Sequence, residues 1–140
     1  MIPKKINLEN IGNCEIGFLS IYQGIKDFVP IIKRVYWIKD VPNDVSRGFH
    51  YHNELKQILV CIQGVIEIKL ENLEGQVFNF KLNKHHEGLY VPEKLWREIT
   101  FSDNAILLCL ASEEFSELDY IRDYDEFNKI KWNYLGEKSV

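Results

Sequence analysis

Two histidines separated by one residue are the side chains of this sequence with the clearest capacity for chemistry. His50 and His52 lie in segment 47–64, and Gln57 and Gly64 follow after four and six intervening residues. Residues i and i+2 of an extended strand point to the same face, so the two imidazole rings should lie side by side. Such a pair can bind a metal ion, or it can accept and return protons near neutral pH.

The segment that follows the histidines predicts a strand that is buried on both faces. Residues 58–62 read ILVCI, and Gln63 and Gly64 have the composition of a turn. Polar groups above an apolar strand suggest a barrel with a pocket at one end.

Short strands separated by turns are predicted for most of the remaining chain. We expect them at 16–22, 32–38, 65–70, 76–82, 88–92, 96–101 and 105–111. Residues 39–46 and the pair Glu74-Gly75 have turn chemistry, whereas 113–132 has the mixed aromatic spacing of one or two short helices. The pattern predicts a single all-β domain over residues 1–140, a barrel or jelly roll with a short C-terminal helical segment.

Composition narrows the class of protein. The chain has 140 residues, of which 46% are hydrophobic, and its net charge of −4 argues against general nucleic-acid binding. It has no apolar run of the roughly 20 residues that a membrane helix needs, and its first residues lack the apolar core of a signal peptide. Three scattered cysteines do not suggest a disulfide framework, so a cytoplasmic protein that binds no membrane is expected.

The spacing of the histidine segment resembles the first motif of the cupins, His-x-His-x4-acid-x6-Gly. Gln57 replaces the acidic metal ligand, and the second cupin motif, aligned on Gly88 and Pro92, places Arg97 at the histidine ligand. An amide and a permanent cation in these positions make a poor site for a divalent metal. We therefore predict that no metal is bound and that the imidazoles act as acid and base. The alternative is that they only form hydrogen bonds at a polar barrel mouth.

Longer strings resemble the sugar-nucleotide 3,4-ketoisomerases, small cupins that act on dTDP-4-keto-6-deoxyglucose. The matching strings are KRVYWI (33–38), RGFHYH (47–52), LKQILVCIQG (55–64), GLYVPEKLWREI (88–99) and LASEEFSELDYIRDYDEF (110–127). The resemblance implies a cupin jelly-roll barrel without cofactor or metal, and a homodimer that can exchange its N-terminal strands. It also implies isomerisation of dTDP-4-keto-6-deoxy-D-glucose to a 3-keto sugar for amino-sugar biosynthesis. One departure is Ile16, which replaces an arginine of the family.

The same resemblance assigns roles to individual residues. His50 and His52 would be the acid/base pair, with His52 favoured for moving the proton, and Tyr36 would hydrogen-bond the sugar. Arg34 and Arg47 would hold the diphosphate. Further candidates for substrate contact are Arg122, Lys56, Gln57, Trp96 and Arg97.

Three other functions are compatible with the sequence. The nearest is a deoxysugar epimerase on the same scaffold, which would invert a carbon centre instead of moving a ketone. The second is a sugar-nucleotide-binding module without catalysis, and the third is a metal-dependent cupin oxygenase.

Overall fold

Alternating apolar residues and frequent turns give this chain an architecture made almost entirely of strands. The computed structural model describes residues 2–23 and 28–139. Its strands are β1 (Lys4–Asn7), β2 (Glu9–Asn13), β3 (Gly17–Ile21), β4 (Arg34–Ile38), β5 (Val45–His52), β6 (Gln57–Glu71), β7 (Val77–Leu82), β8 (Glu87–Val91), β9 (Leu95–Ala111) and β10 (Tyr120–Ile121). A 3₁₀ turn (Glu117–Asp119) precedes β10, and one helix, α1 (Tyr124–Lys138), follows it. The predicted all-β class with a C-terminal helical segment is confirmed.

The two long strands β6 and β9 organise the sheet. They pair antiparallel along most of their length, and the order of the main sheet is β1-β8-β6-β9-β5-β10, with β7 added to β6 and β4 added to β9. β2 and β3 form a separate two-stranded hairpin. The apolar side chains of β6, β8 and β9 that point inward form the main core, and Tyr36 and Ile38 of β4 pack against it.

The turn expected at Gln63 and Gly64 is wrong, and so is the division of β9 into two strands. β6 continues through Gly64 with shifts of register against β9 on either side of Gln63. Gly64 has a φ of +80°, and a Cβ atom there would lie 2.6 Å from the Cα of Ala105. The glycine therefore allows a bulge at which the paired strands bend but do not end.

The C-terminal region is helical over a different range from the one expected. Residues between Ser112 and Glu117 form no helix, and α1 begins at Tyr124, where the carboxylate of Asp123 accepts a hydrogen bond from the backbone N–H of Asp125 at 2.8 Å. Phe127 of α1 packs against Tyr51 and Trp96 on the outside of the sheet. No helix in ranges 2–23 and 28–139 has the length and apolar character needed to cross a membrane.

Candidate active site

A bulge in β5 places His50 at the wall of a cavity, with His52 beside it on the same strand. The register of β5 against β9 shifts between Gly48 and His50, and both Gly48 and Phe49 have positive φ angles, of +95° and +51°. Beyond the bulge the strand alternates regularly, so His50 and His52 share a face. Their ring centroids are 4.7 Å apart and the rings are nearly perpendicular, at 87°.

Hydrogen bonds assign the tautomer of each imidazole. Nδ1 of His50 donates to the carbonyl oxygen of Gly48 at 2.9 Å, and Nδ1 of His52 donates to Oδ2 of Asp119 at 3.1 Å. Both acceptors carry no proton to give, so the hydrogen lies on Nδ1 in each ring. The lone pair of each neutral imidazole is therefore on Nε2.

Burial and neighbouring cations keep both imidazoles neutral. Burial, followed by the positive charge of Arg97, lowers the pKa of His50 to about 4. The same two causes, in the same order, lower the pKa of His52 well below its ordinary range, and only 1% of its surface is exposed. At neutral pH the pair is therefore in the form that accepts a proton.

Arg97 is a buried cation with unused donors. Its side chain is 2% exposed, its Nη1 donates to Oε1 of Gln57, and its Nε and Nη2 have no partner among the residues that the structure describes. Gln57 in turn donates from Nε2 to the hydroxyl oxygen of Tyr36 at 2.7 Å. Burial above all raises the pKa of Tyr36, so it stays a neutral phenol. A buried guanidinium with two nitrogen donors that lack a partner is costly to maintain unless a ligand uses them.

This set of residues does not fit a metal ion. The four positions of the cupin motif hold two imidazoles, an amide and a guanidinium, and the last is hydrogen-bonded to the amide. Across ranges 2–23 and 28–139, no three His, Cys, Asp or Glu side chains are grouped as a metal site. A guanidinium cannot ligate a metal because it has no lone pair to give.

These residues surround a cavity of about 330 Å³. It is lined by Arg34, Tyr36, Ile38, Arg47, Gly48, His50, Gln57, Leu59, Arg97, Ile99, Leu107, Cys109, Tyr120 and Arg122. Its floor is apolar, and no carboxylate stands among these lining residues. His52 does not line the cavity and lies behind His50.

Four arginines give the cavity a local positive charge in a protein of net negative charge. The guanidinium of Arg34 lies 5.1 Å from the ring centre of Tyr36, and its Nε is buried without a described partner. Arg47 is exposed at the cavity and Arg122 lies 4.4 Å from the ring centre of Tyr120. Arg122 also forms an ion pair with Glu117 at 2.9 Å, and that exposed pair is open to exchange with a ligand anion.

Two candidate residues do not reach this cavity. Trp96 is buried against Phe127 and Tyr124, on the face of β9 opposite to Arg97. Lys56 precedes β6, where its backbone N–H bonds the hydroxyl of Ser112 at 2.9 Å, and its side chain is not part of the cavity lining. Neither arrangement supports contact with a substrate in the cavity.

Two residues at the site were missed by sequence reasoning. Tyr120 packs against both histidines, with its ring centre 4.2 Å from that of His52 and 5.1 Å from that of His50. Asp119 holds His52 from the preceding 3₁₀ turn. β10 brings both to the site by pairing Tyr120 with His52. The only signal in the sequence was the unusual string that contains them, DYIRDYDEF (119–127).

Comparisons with known proteins match the chain to one family over most of its length. Residues 3–132 match the family described as FdtA: WxcM-like, C-terminal. The chain is 37% identical over 131 residues to TDP-4-oxo-6-deoxy-alpha-D-glucose-3,4-oxoisomerase from Aneurinibacillus thermoaerophilus, with 92% of both chains covered.

Two solved structures of similar fold contain TDP or TDP-4-keto-6-deoxyglucose. QdtA, a sugar 3,4-ketoisomerase from Thermoanaerobacterium thermosaccharolyticum in complex with TDP, matches with a TM-score of 0.84 and 36% identity, over 94% of this chain and 96% of that one. A histidine-to-asparagine mutant of QdtA in complex with TDP-4-keto-6-deoxyglucose matches with a TM-score of 0.82 and 36% identity, over 91% of each chain. The cupin-like jelly roll expected from the sequence is confirmed over nearly the whole chain.

Proposed function

Because this chain belongs to the FdtA: WxcM-like, C-terminal family, we propose that it is an isomerase of sugar nucleotides. It converts dTDP-4-keto-6-deoxy-D-glucose to the 3-keto isomer. The observation that carries this proposal is a neutral histidine pair beside a buried guanidinium with unused donors. The sugar nucleotides bound or named in its relatives support the choice of substrate.

The reaction exchanges a ketone and a hydroxyl between adjacent carbons. A base removes the proton from C3, and the electron pair of that bond forms an enediolate with negative charge on the former ketone oxygen at C4. That oxygen is then protonated, C4 receives a proton, and the C3 hydroxyl loses its proton as its oxygen becomes the new ketone. Hydrogen moves only as protons, between the substrate, the acid/base groups and water, so no external oxidant or reductant is needed.

His50 is the base in this proposal, although the sequence favoured His52. His50 lines the cavity, whereas His52 is nearly inaccessible behind it. With hydrogen fixed on Nδ1, the Nε2 atom of His50 is the position that accepts the C3 proton. His52 completes the pair from behind and supports the ring of His50.

Arg97 and Tyr36 stabilise the enediolate. The free Nε and Nη2 sites of Arg97 supply fixed positive donors in a cavity with an apolar floor, where charge is poorly screened. Tyr36 remains a phenol, so it acts as a hydrogen-bonding group and not as a base.

Arg34, Arg47 and Arg122 bind the diphosphate in this proposal. Guanidinium groups match phosphate oxygens with paired N–H donors and keep their charge at every physiological pH. All three line the cavity that holds His50, so a single sugar nucleotide can reach both regions.

The proposal includes a cytoplasmic homodimer, which can exchange its N-terminal strands. Support for the dimer comes from apolar side chains exposed on β4 and on the β2–β3 hairpin. Cys61 and Cys109 are buried free thiols, which supports a location in the reducing cytoplasm.

NMR spectroscopy of the reaction with dTDP-4-keto-6-deoxyglucose tests the function. We expect loss of the C4 carbonyl signal, appearance of a C3 carbonyl signal, and incorporation of deuterium from D₂O. In His50→Asn, turnover should fall about 10²- to 10⁴-fold, the usual range for general acid–base catalysis, while dTDP binding changes little.

The same experiment separates the alternatives. An inverted C3 or C5 centre without a shifted ketone would indicate an epimerase, and no exchange of the C3 proton would indicate a binding module. Activity of His50→Asn near that of the wild type would remove His50 from the mechanism. Activity that disappears with chelator and returns with an added metal would favour the metal-dependent alternative.

A further inference from the structure

The carboxylate of Asp119 accepts three hydrogen bonds, all from residues outside its own 3₁₀ turn. Its Oδ1 accepts hydrogen bonds from the backbone N–H groups of Asn53 at 3.1 Å and Glu54 at 2.8 Å, and its Oδ2 accepts from Nδ1 of His52 at 3.1 Å. Its backbone N–H also donates to the carbonyl of Ser116 at 3.1 Å. The carboxylate is thus fixed on one side by the main chain and offers its other oxygen to the imidazole.

We propose that Asp119 is a positioning residue of the catalytic pair, which holds the proton of His52 on Nδ1 and fixes the orientation of that ring. This inference goes beyond the proposed function but rests on it, because it gives His52 its place in the isomerase reaction. His52 lies against His50, with ring centres 4.7 Å apart, so its orientation is transmitted to the imidazole at the cavity wall. With both hydrogens on Nδ1, both rings keep a lone pair on Nε2.

The backbone donors make Asp119→Asn an unusually specific test. Two N–H groups already point at Oδ1, so the carbonyl oxygen of an asparagine must take that position. Its NH₂ group then faces Nδ1 of His52, which can bond it only as an acceptor. The substitution keeps the size of the side chain and should move the proton of His52 from Nδ1 to Nε2.

The experiment combines long-range ¹H–¹⁵N NMR of histidine-labelled protein with steady-state kinetics. In the wild type we expect His52, assigned by loss of its signals in His52→Asn, to be protonated at Nδ1. In Asp119→Asn we expect protonation at Nε2 and a kcat about 10- to 10²-fold lower, with the Kd for dTDP within about threefold of the wild type. Asp123→Asn is the matched control, since asparagine also caps helices well, and it should change neither the tautomer nor kcat.

Three results would overturn the inference. They are protonation of His52 at Nε2 in the wild type, an unchanged tautomer in Asp119→Asn, and a changed tautomer with kcat within about threefold of the wild type. The wild-type spectrum alone decides the first, even if Asp119→Asn fails to fold. The tautomer is measured without substrate, so failure of the isomerase assignment would leave this readout intact and is distinguishable from failure of the inference.

Discussion

At the scale of single residues, the site shows how a cupin motif can work with an internal cation. Arg97 lies where the cupin motif has a histidine ligand, and its guanidinium is bonded to Gln57, which lies where the motif has a carboxylate. The two replacements are coupled, because a neutral amide oxygen accepts the Arg97 bond without neutralising its charge. The cation therefore stays available to an anionic intermediate.

Replacement of Arg97 by methionine should separate stability from activity. A buried, poorly partnered charge costs several kcal/mol of desolvation, whereas the bond lost by Gln57 contributes about 1 kcal/mol. We therefore expect Arg97→Met to have a Tm at or above that of the wild type and a kcat lower by at least about 10²-fold. Thermal unfolding and steady-state kinetics measure the two quantities.

The control for lost charge is Arg122→Met at the exposed end of the cavity. This change should raise KM for the sugar nucleotide and leave kcat within a few fold. A large fall of Tm in Arg97→Met with unchanged kcat would show that Arg97 is structural and not catalytic.

At the scale of elements, β5 sets the position of the base. The bulge at Gly48 brings the strand close to β9, and a Cβ atom on Gly48 would lie 2.9 Å from the carbonyl oxygen of Arg97. That distance is shorter than real Cβ contacts allow, so any side chain at this position must displace one of the two strands. Gly48 thereby couples the placement of His50 to that of Arg97.

Gly48→Ala is expected to lower both stability and turnover. The positive φ of +95° and the contact with Arg97 act together. Backbone strain alone costs about 1–3 kcal/mol, so we expect the free energy of unfolding to fall by more than that. Turnover should fall because His50 and Arg97 move apart. Urea unfolding and kinetics of the folded variant measure these effects.

Gly75→Ala is the matched comparison. Gly75 also has a positive φ, of +81°, but a Cβ atom there has no neighbour within 4 Å. It should show the cost of the backbone conformation alone, about 1 kcal/mol, and wild-type kcat. Equal effects of the two variants on stability and kcat would contradict the role of the close approach.

At the scale of the whole molecule, the alternation of side chains along a strand identified which residues of one strand share a face. It placed His50 with His52. Applied to β4, the same alternation puts Arg34, Tyr36 and Ile38 on one face, and these three residues line the cavity. The same rule, applied to β9, would have rejected Trp96 once Arg97 was accepted, since neighbouring residues point to opposite faces.

The features that the sequence did not predict depend on contacts between strands that are far apart in the chain. The bulge at Gly64 follows from the approach of Ala105, and local composition there looks like an ordinary turn. Asp119 is 67 positions from His52 in the chain, and only the pairing of β10 with β5 brings them together. Local patterns carry no information on such pairings.

An exposed apolar surface on one side of the molecule bears on its assembly. Trp37 and Val35 are 64% and 52% exposed on β4, and they pair in register with Leu108 and Leu110 of β9. Phe18 of the hairpin, 51% exposed, borders a groove that also includes Leu108 and Leu110. Contiguous apolar side chains of this kind mark interfaces between proteins, and here they support the proposed homodimer.

Trp37→Glu should convert that dimer to a monomer, because a charge buried in an apolar interface without a partner costs several kcal/mol. We expect the dissociation constant of the dimer to rise by at least about 10²-fold, measured by light scattering after size exclusion over a range of concentrations. Trp132→Glu is the matched control, since Trp132 is 73% exposed on α1 and belongs neither to β4 nor to the hairpin, so the dimer should persist. A wild-type protein that is monomeric at micromolar concentration, or a Trp37→Glu dimer as tight as the wild type, would contradict this interface.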